Sequence, residues 1–224
     1  MAQPLDLQEQ EQLDDLKAFW KTYGNLITWA LVAALTVFAA LNGWKWWQRE
    51  QSIKAAAMYD ELDRAAQAGN AQRAGQIFAD LKQRYPRTVY AEQGGLLAAS
   101  VQFASGQSEE AKASLDWVAG NATENEYQTV ARLRLAGLLL QAKDYDAALK
   151  QLDAAKAPTF AALVADRRGD VLLAQGKSTE ARSAYQTAWQ AMDAKVEYRR
   201  LIEAKLGALG AAPGAPAKAA EAAK

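Results

Sequence analysis

GNAQRAGQIFADL, residues 69–81, carries a pattern that returns three times downstream. A glycine and a polar residue are followed after three positions by Ala, after three more by a bulky apolar residue, and after two more by another apolar residue. It recurs as GQSEEAKASLDWV (106–118), KDYDAALKQLDAA (143–155) and GKSTEARSAYQTA (176–188), with Lys143 in the glycine place of the third copy. The key alanines, Ala74, Ala111, Ala148 and Ala181, are spaced by 37, 37 and 33 residues. A glycine supplies the left-handed backbone that ends one helix, and a small residue lets the next helix lie close against it.

A period near 34 residues built this way is that of stacked helix hairpins of the tetratricopeptide-like kind. Around the repeats the chain is rich in Ala, Leu, Gln, Lys, Arg and Glu and has five prolines in all, a helical composition. Pro86 falls where the second helix of the first pair must stop. The spacing predicts hairpins over 51–85, 90–120, 124–156 and 159–192 and a capping helix over 195–209. An irregular helical bundle is the competing architecture. The stretch 210–224 lacks bulky residues and reads as a disordered Ala/Pro-rich tail.

Upstream, LITWALVAALTVFAALNGW (26–44) holds 19 uncharged, mostly apolar positions, about 28 Å of helix and so enough for a bilayer core. Trp20 and Tyr23 before it, and Trp44, Trp46 and Trp47 after it, sit where interfacial aromatic belts form, accompanied by Lys17, Lys21, Lys45 and Arg49. The expectation is a transmembrane helix over 26–47. A cleaved signal peptide fits less well, because the preceding 25 residues include Asp6, Glu9, Glu11, Asp14 and Asp15. Basic residues flank the two ends almost equally, so charge counting leaves orientation open. In the segment 1–25, Leu13, Leu16, Trp20 and Tyr23 recur at helical spacing opposite an acidic face.

Chemistry has little to work with. The chain has no His and no Cys, and 26 basic residues balance 26 acidic ones. The first fact removes the usual general base and thiolate nucleophile, and the second any overall attraction to nucleic acid. No catalytic, metal or cofactor residues are therefore expected. Gly94-Gly95 lacks the Lys-Ser or Lys-Thr of a phosphate loop, and Asn121-Ala122-Thr123 is a sequon of chance length. Asp166 and Asp170, with Arg167, share a helical face; a surface salt-bridge network is the simpler reading than paired catalytic carboxylates. Arg168-Gly169-Asp170 falls mid-helix, which argues against an adhesive loop.

The working surface is expected to be the concave one. The first helix of each hairpin would line it, and the register directs Leu96, Ser100 and Phe103, then Leu133, Gly137 and Leu140, then Leu163, Asp166, Asp170 and Leu173, towards a partner-binding groove. About half of the apolar members are expected to be core.

In several places, taken in order, the chain resembles the ancillary SecYEG translocon subunits, the YfgM-type tetratricopeptide-like inner-membrane proteins. The matching residues are Gln12 to Trp20, Tyr23-Gly24-Asn25, Gly43-Trp44-Lys45-Trp46-Trp47, Leu133-Arg134-Leu135-Ala136, and Ala165 to Asp170 leading to Gly176 and Ala181-Arg182. The resemblance implies a single-pass inner-membrane anchor with residues 1–25 in the cytoplasm and the helical domain, 51–209, in the periplasm. It implies association with the SecYEG translocon and with a membrane-anchored periplasmic chaperone of the prolyl-isomerase class (PpiD-type), in assistance of newly translocated proteins. The alternative function is regulation of an envelope stress-signalling pathway through the N-terminal segment.

Overall fold

The computed structural model describes residues 7–211, with side chains described from residue 12 onward. The first six residues, and the expected tail from residue 212, lie outside the described residues. The chain forms two compact units, 1–51 and 52–224. The described residues are helical throughout, with no strand.

The first unit is built by helix α1, which runs Leu7–Gln67 and so continues beyond residue 51. Within 26–44 its bulky side chains are exposed all round: Leu26, Trp29, Leu35 and Phe38 are each more than 60% accessible. A helix apolar on every side has no aqueous face, and α1 is long and apolar enough to cross a membrane. Its polar side chains bond back to the helix itself. Thr28 Oγ1 donates to the Gly24 carbonyl at 2.8 Å, Thr36 Oγ1 to Val32 at 2.7 Å and Asn42 Nδ2 to Phe38 at 2.8 Å. That closure is what lipid requires of polar groups. Trp20, Tyr23, Trp44, Trp46 and Trp47 are all exposed. A single N-terminal apolar helix of this kind among the described residues fits a single-pass membrane protein.

The second unit contains the last turns of α1 followed by α2 (Ala71–Arg84), α3 (Val89–Ala104), α4 (Ser108–Asn121), α5 (Asn125–Gln141), α6 (Tyr145–Asp153), a 3-10 turn (Pro158–Phe160), α7 (Ala161–Ala174), α8 (Ser178–Ala191) and α9 (Tyr198–Ala208). From α2 to α9 each helix pairs with the next in sequence, as in a solenoid, and the last turns of α1 share a core with α2 through Leu62, Ala65, Ala74 and Phe78. The four repeat turns use one backbone device. Gly69, Gly106, Lys143 and Gly176 have φ of 67°, 79°, 61° and 79°. In each turn this residue's N–H and that of its successor return to carbonyls of the preceding helix, for example Gly106 to Phe103 at 3.0 Å and Gln107 to Gln102 at 2.8 Å. These are Schellman caps. They deliver Ala74, Ala111, Ala148 and Ala181, all fully buried, to the tight crossing, and the bulky Phe78, Leu115, Leu152 and Tyr185 into the cores beneath.

Close approach also explains the paired glycines that are not a phosphate loop. A Cβ on Gly95 would run into Val118 and Phe78, and one on Gly169 into the Tyr185 ring. Gly169 is thus buried inside α7, and the Arg168-Gly169-Asp170 tripeptide has a packing role. The third repeat departs from the expected length, since α6 stops at Asp153 instead of continuing to 156. Pro158 is the cause: the residue before a proline avoids helical ψ, and Ala157 is extended at ψ 119°. The repeat residue Ala155 therefore lies past the helix and is only half-buried.

Candidate partner-binding groove

The first helices of the hairpins line a row of concavities in the second unit. One, of 320 Å³, lies between α3, α5 and α7 and is bounded by Ser100, Phe103, Leu115, Arg134, Gly137, Leu138, Leu140 and Arg167. A second, of 290 Å³, is formed by Val130, Leu133, Arg134, Phe160, Leu163, Asp166, Arg167 and Tyr198. A third, of 280 Å³, includes Tyr59, Gln93, Leu96, Leu97, Ser100 and Arg134. Arg134 borders all three, which makes them one groove with a cation at its middle. Its Nη1 donates to the Leu96 carbonyl at 3.0 Å, fixing α5 against α3 from within the groove.

The ten residues expected to line this surface separate by burial, and Gly137 borders the first concavity. Ser100 and Phe103 are exposed and face the groove. Leu133, Leu140 and Leu163 are half-buried along its walls. Leu96 is buried and serves mainly the core with Leu115 and Leu135. Leu173 is exposed and borders none of the three concavities.

Asp166 and Asp170 need a correction, because they are not a surface salt-bridge network. Asp166 is only 2% exposed. Lys205 of α9 brings Nζ to 2.8 and 2.9 Å from its two oxygens and 2.7 Å from Asp170 Oδ1. Tyr198 Oη donates to Asp166 at 2.8 Å and Tyr185 Oη to Asp170 at 2.9 Å. Burial, aided by the hydrogen bond to Asp166, pushes the Tyr198 hydroxyl up to about 12; burial and the bond to Asp170 push the Tyr185 hydroxyl well above the usual phenol range. Both tyrosines stay protonated donors. The arrangement is an internal latch that fastens α9 across α7 and α8, where Ile202 and Leu206 are fully buried.

Sequence reasoning missed Lys205 and the groove arginines. The repeat pattern assigns Arg134 and Arg167 no place in the groove; both enter through the family resemblance, and Arg167 also beside the aspartates. The available signal for Arg134 is its register, three residues before Gly137 and so next to it on the helix surface.

Comparison with known proteins converges on one family. Residues 17–211 match the tetratricopeptide repeat-like domain family. The chain is 35% identical over 206 residues to a protein of Neisseria gonorrhoeae named ancillary SecYEG translocon subunit, covering 91% of this chain and 98% of that one. The chain belongs to the ancillary SecYEG translocon subunit family. Members of that name from Escherichia coli and Haemophilus influenzae are 31% and 27% identical, over 80% and 82% of this chain and 85% and 90% of theirs. The family match includes most of α1 and every helix through α9, so both the apolar helix and the groove belong to the shared region.

Proposed function

We propose that this protein is a translocon-associated scaffold of the inner membrane that holds protein partners in the groove of its helical unit. The observation that carries the proposal is the groove itself: exposed Phe103 and half-buried Leu133, Leu140 and Leu163 around Arg134, in a chain whose relatives are named as translocon subunits. The chain acts by binding and not by catalysis; it has neither His nor Cys, and the paired carboxylates that looked closest to a catalytic set are held by Lys205.

The span keeps the groove at the membrane, which raises its encounter rate with segments emerging there, so weak contacts suffice. The N-terminus is cytoplasmic and the helical unit periplasmic, where its partners include a PpiD-type membrane-anchored chaperone and newly translocated chains. The family relationship and the apolar helix support this reading. Photo-crosslinking residues placed at Ser100, Phe103 and Leu140 in cells are expected to capture translocon-proximal proteins and that chaperone. Capture only from the convex face, or only at residues 44–47, would remove the groove from the proposal. Protease added to spheroplasts is expected to digest residues beyond about 50, and full protection would reverse the orientation.

A further inference from the structure

We infer that the groove is selective for segments in which a carboxylate lies among bulky apolar side chains, and that Arg134 and Arg167 read the carboxylate. This rests on the groove being the partner-binding surface and names what it prefers to bind.

Charge placement carries the argument. The protein has no net charge, so any attraction is local. Three side chains bearing charge border the three concavities: Arg134, Arg167 and Asp166. Asp166 and its neighbour Asp170 are already answered, both by Lys205 within 2.9 Å and each by a tyrosine hydroxyl. Lys205 borders none of those concavities. Lys205 offsets one of the two carboxylate charges from behind, so Asp166, Asp170, Lys205, Arg134 and Arg167 together keep one net positive charge, and the arginines are the cations that border the groove.

Each arginine has capacity to spare. A guanidinium offers five N–H donors; Arg134 spends Nη1 on the Leu96 carbonyl, a bond that anchors the side chain without neutralising it. Arg167 meets Asp170 only at 3.5 Å. Gly137 keeps space open beside it, since a Cβ there would still be 3.9 Å from the Arg167 guanidinium carbon. Guanidinium groups bind carboxylates through paired, charge-assisted hydrogen bonds, and apolar walls such as Phe103, Leu140, Leu133 and Leu163 lower the surrounding dielectric and strengthen them. A purely apolar segment would cover both cations without satisfying them. An apolar segment with Asp or Glu satisfies walls and cations together.

The test uses the full-length protein in lipid nanodiscs and a display library of random twelve-residue peptides, with empty nanodiscs as the control. Enriched peptides are expected to combine Asp or Glu with bulky apolar residues. Replacing the acidic residue of the best peptide by its amide should weaken binding to the unaltered protein by about ten- to a hundredfold. Arg134→Gln and Arg167→Gln should bind the acid and amide peptides alike, whereas Arg134→Lys and Arg167→Lys should keep part of the preference. Thermal melts of each variant show that the fold is intact. Enriched peptides without acidic residues, or acid and amide forms binding within about twofold, would overturn the selectivity and leave the groove as a binding surface. No enrichment over empty nanodiscs, or enrichment that a Gly137→Gln plug leaves unchanged, would overturn the groove as well.

Discussion

The second and fourth hairpins are closed by the same device and differ in how they treat buried charge. In both, a left-handed glycine cap ends the first helix, and a side-chain-free glycine permits close packing, Gly95 against Val118 of α4 and Phe78 of α2, Gly169 against Tyr185 of α8. Between α3, α4 and α5 an apolar cluster of Leu96, Leu115, Val118 and Leu135 surrounds polar groups that form no ion pair among the described residues, Glu92 and the hydrogen-bonded Gln102 and Ser114. Beneath α9 the core is instead crossed by Asp166, Asp170, Lys205, Tyr185 and Tyr198. The second hairpin has a repeat on both sides to cover it, whereas the fourth is followed by one eleven-residue helix. An apolar seam would hold α9 in many registers; an ion pair with two tyrosine donors fixes one.

The sharpest way to break this contrast is to remove the cation. Lys205→Ala leaves Asp166 buried and unpaired, and a charge stranded in that way costs about 3–5 kcal/mol. Denaturant unfolding of the full-length protein should show a loss of that size. The triple variant Asp166→Asn, Asp170→Asn, Lys205→Met should recover most of it. If Lys205→Ala cost under about 1 kcal/mol, the latch would be decoration on an apolar seam.

The shared device is tested by Gly169→Ala. The new methyl group would overlap the Tyr185 ring, and overpacking of this kind costs about 1–3 kcal/mol. Gly137→Ala is the matched control on a neighbouring helix. Its Cβ meets nothing nearer than 3.9 Å, so it should gain up to about 1 kcal/mol from helix propensity alone. Opposite signs for the two substitutions in thermal melts would separate close approach from backbone freedom.

Much of the helical unit was legible because each repeat writes its own register. The buried alanines and the bulky residues four positions later are local signals, and even Lys143 stood out by occupying a glycine place. The latch was not legible for the opposite reason. Lys205 lies 39 residues from Asp166 and 35 from Asp170, and helical periodicity gives a residue's face but not its distant partner. The same limit hid the groove's charge: the register found Phe103 and Leu140, but whether Arg134 is neutralised depends on α3 and α7. The short α6 followed from Pro158, whose effect reaches back into the turn before it.

Glu92 sharpens the comparison from the apolar side. It is the buried carboxylate of α3, 2% exposed, and unlike Asp166 it forms no ion pair among the described residues. Oε1 accepts the Thr123 N–H at 2.7 Å, while Oε2 has no hydrogen-bond partner among the described residues. Burial pushes its carboxyl above the ordinary value near 4.5, and the charge of Glu124 adds to this against the lowering effect of the Thr123 bond. The folded state therefore holds the proton more tightly than the unfolded chain. Its contribution to stability is complete below about pH 4 and is lost as pH rises through the folded value. Glu92→Gln keeps an acceptor for Thr123 and has no charge to bury. Near neutral pH it should gain about 1 kcal/mol, and the gain should vanish in melts at the acid end.

Lys143 gives the smallest effect and the cleanest reading of the common turn. It is the one non-glycine with positive φ among the described residues, at 61°, and its caps match those of the glycine turns: Lys143 N–H to Leu140 at 3.0 Å and Asp144 N–H to Leu139 at 2.9 Å. An L-residue in that region pays about 1 kcal/mol or slightly more for its Cβ. Lys143→Gly removes that strain but enlarges the freedom of the unfolded chain, which takes back part of the gain. A net stabilisation of about 0.5–1 kcal/mol is expected, read as a higher midpoint at unchanged denaturant slope. The reverse substitution, Gly106→Lys, should cost a similar amount in the apolar hairpin. If Gly106→Lys cost several times more than Lys143→Gly gains, the turns would share a geometry without sharing an energy, and the third repeat would owe its tolerance of lysine to its shortened α6.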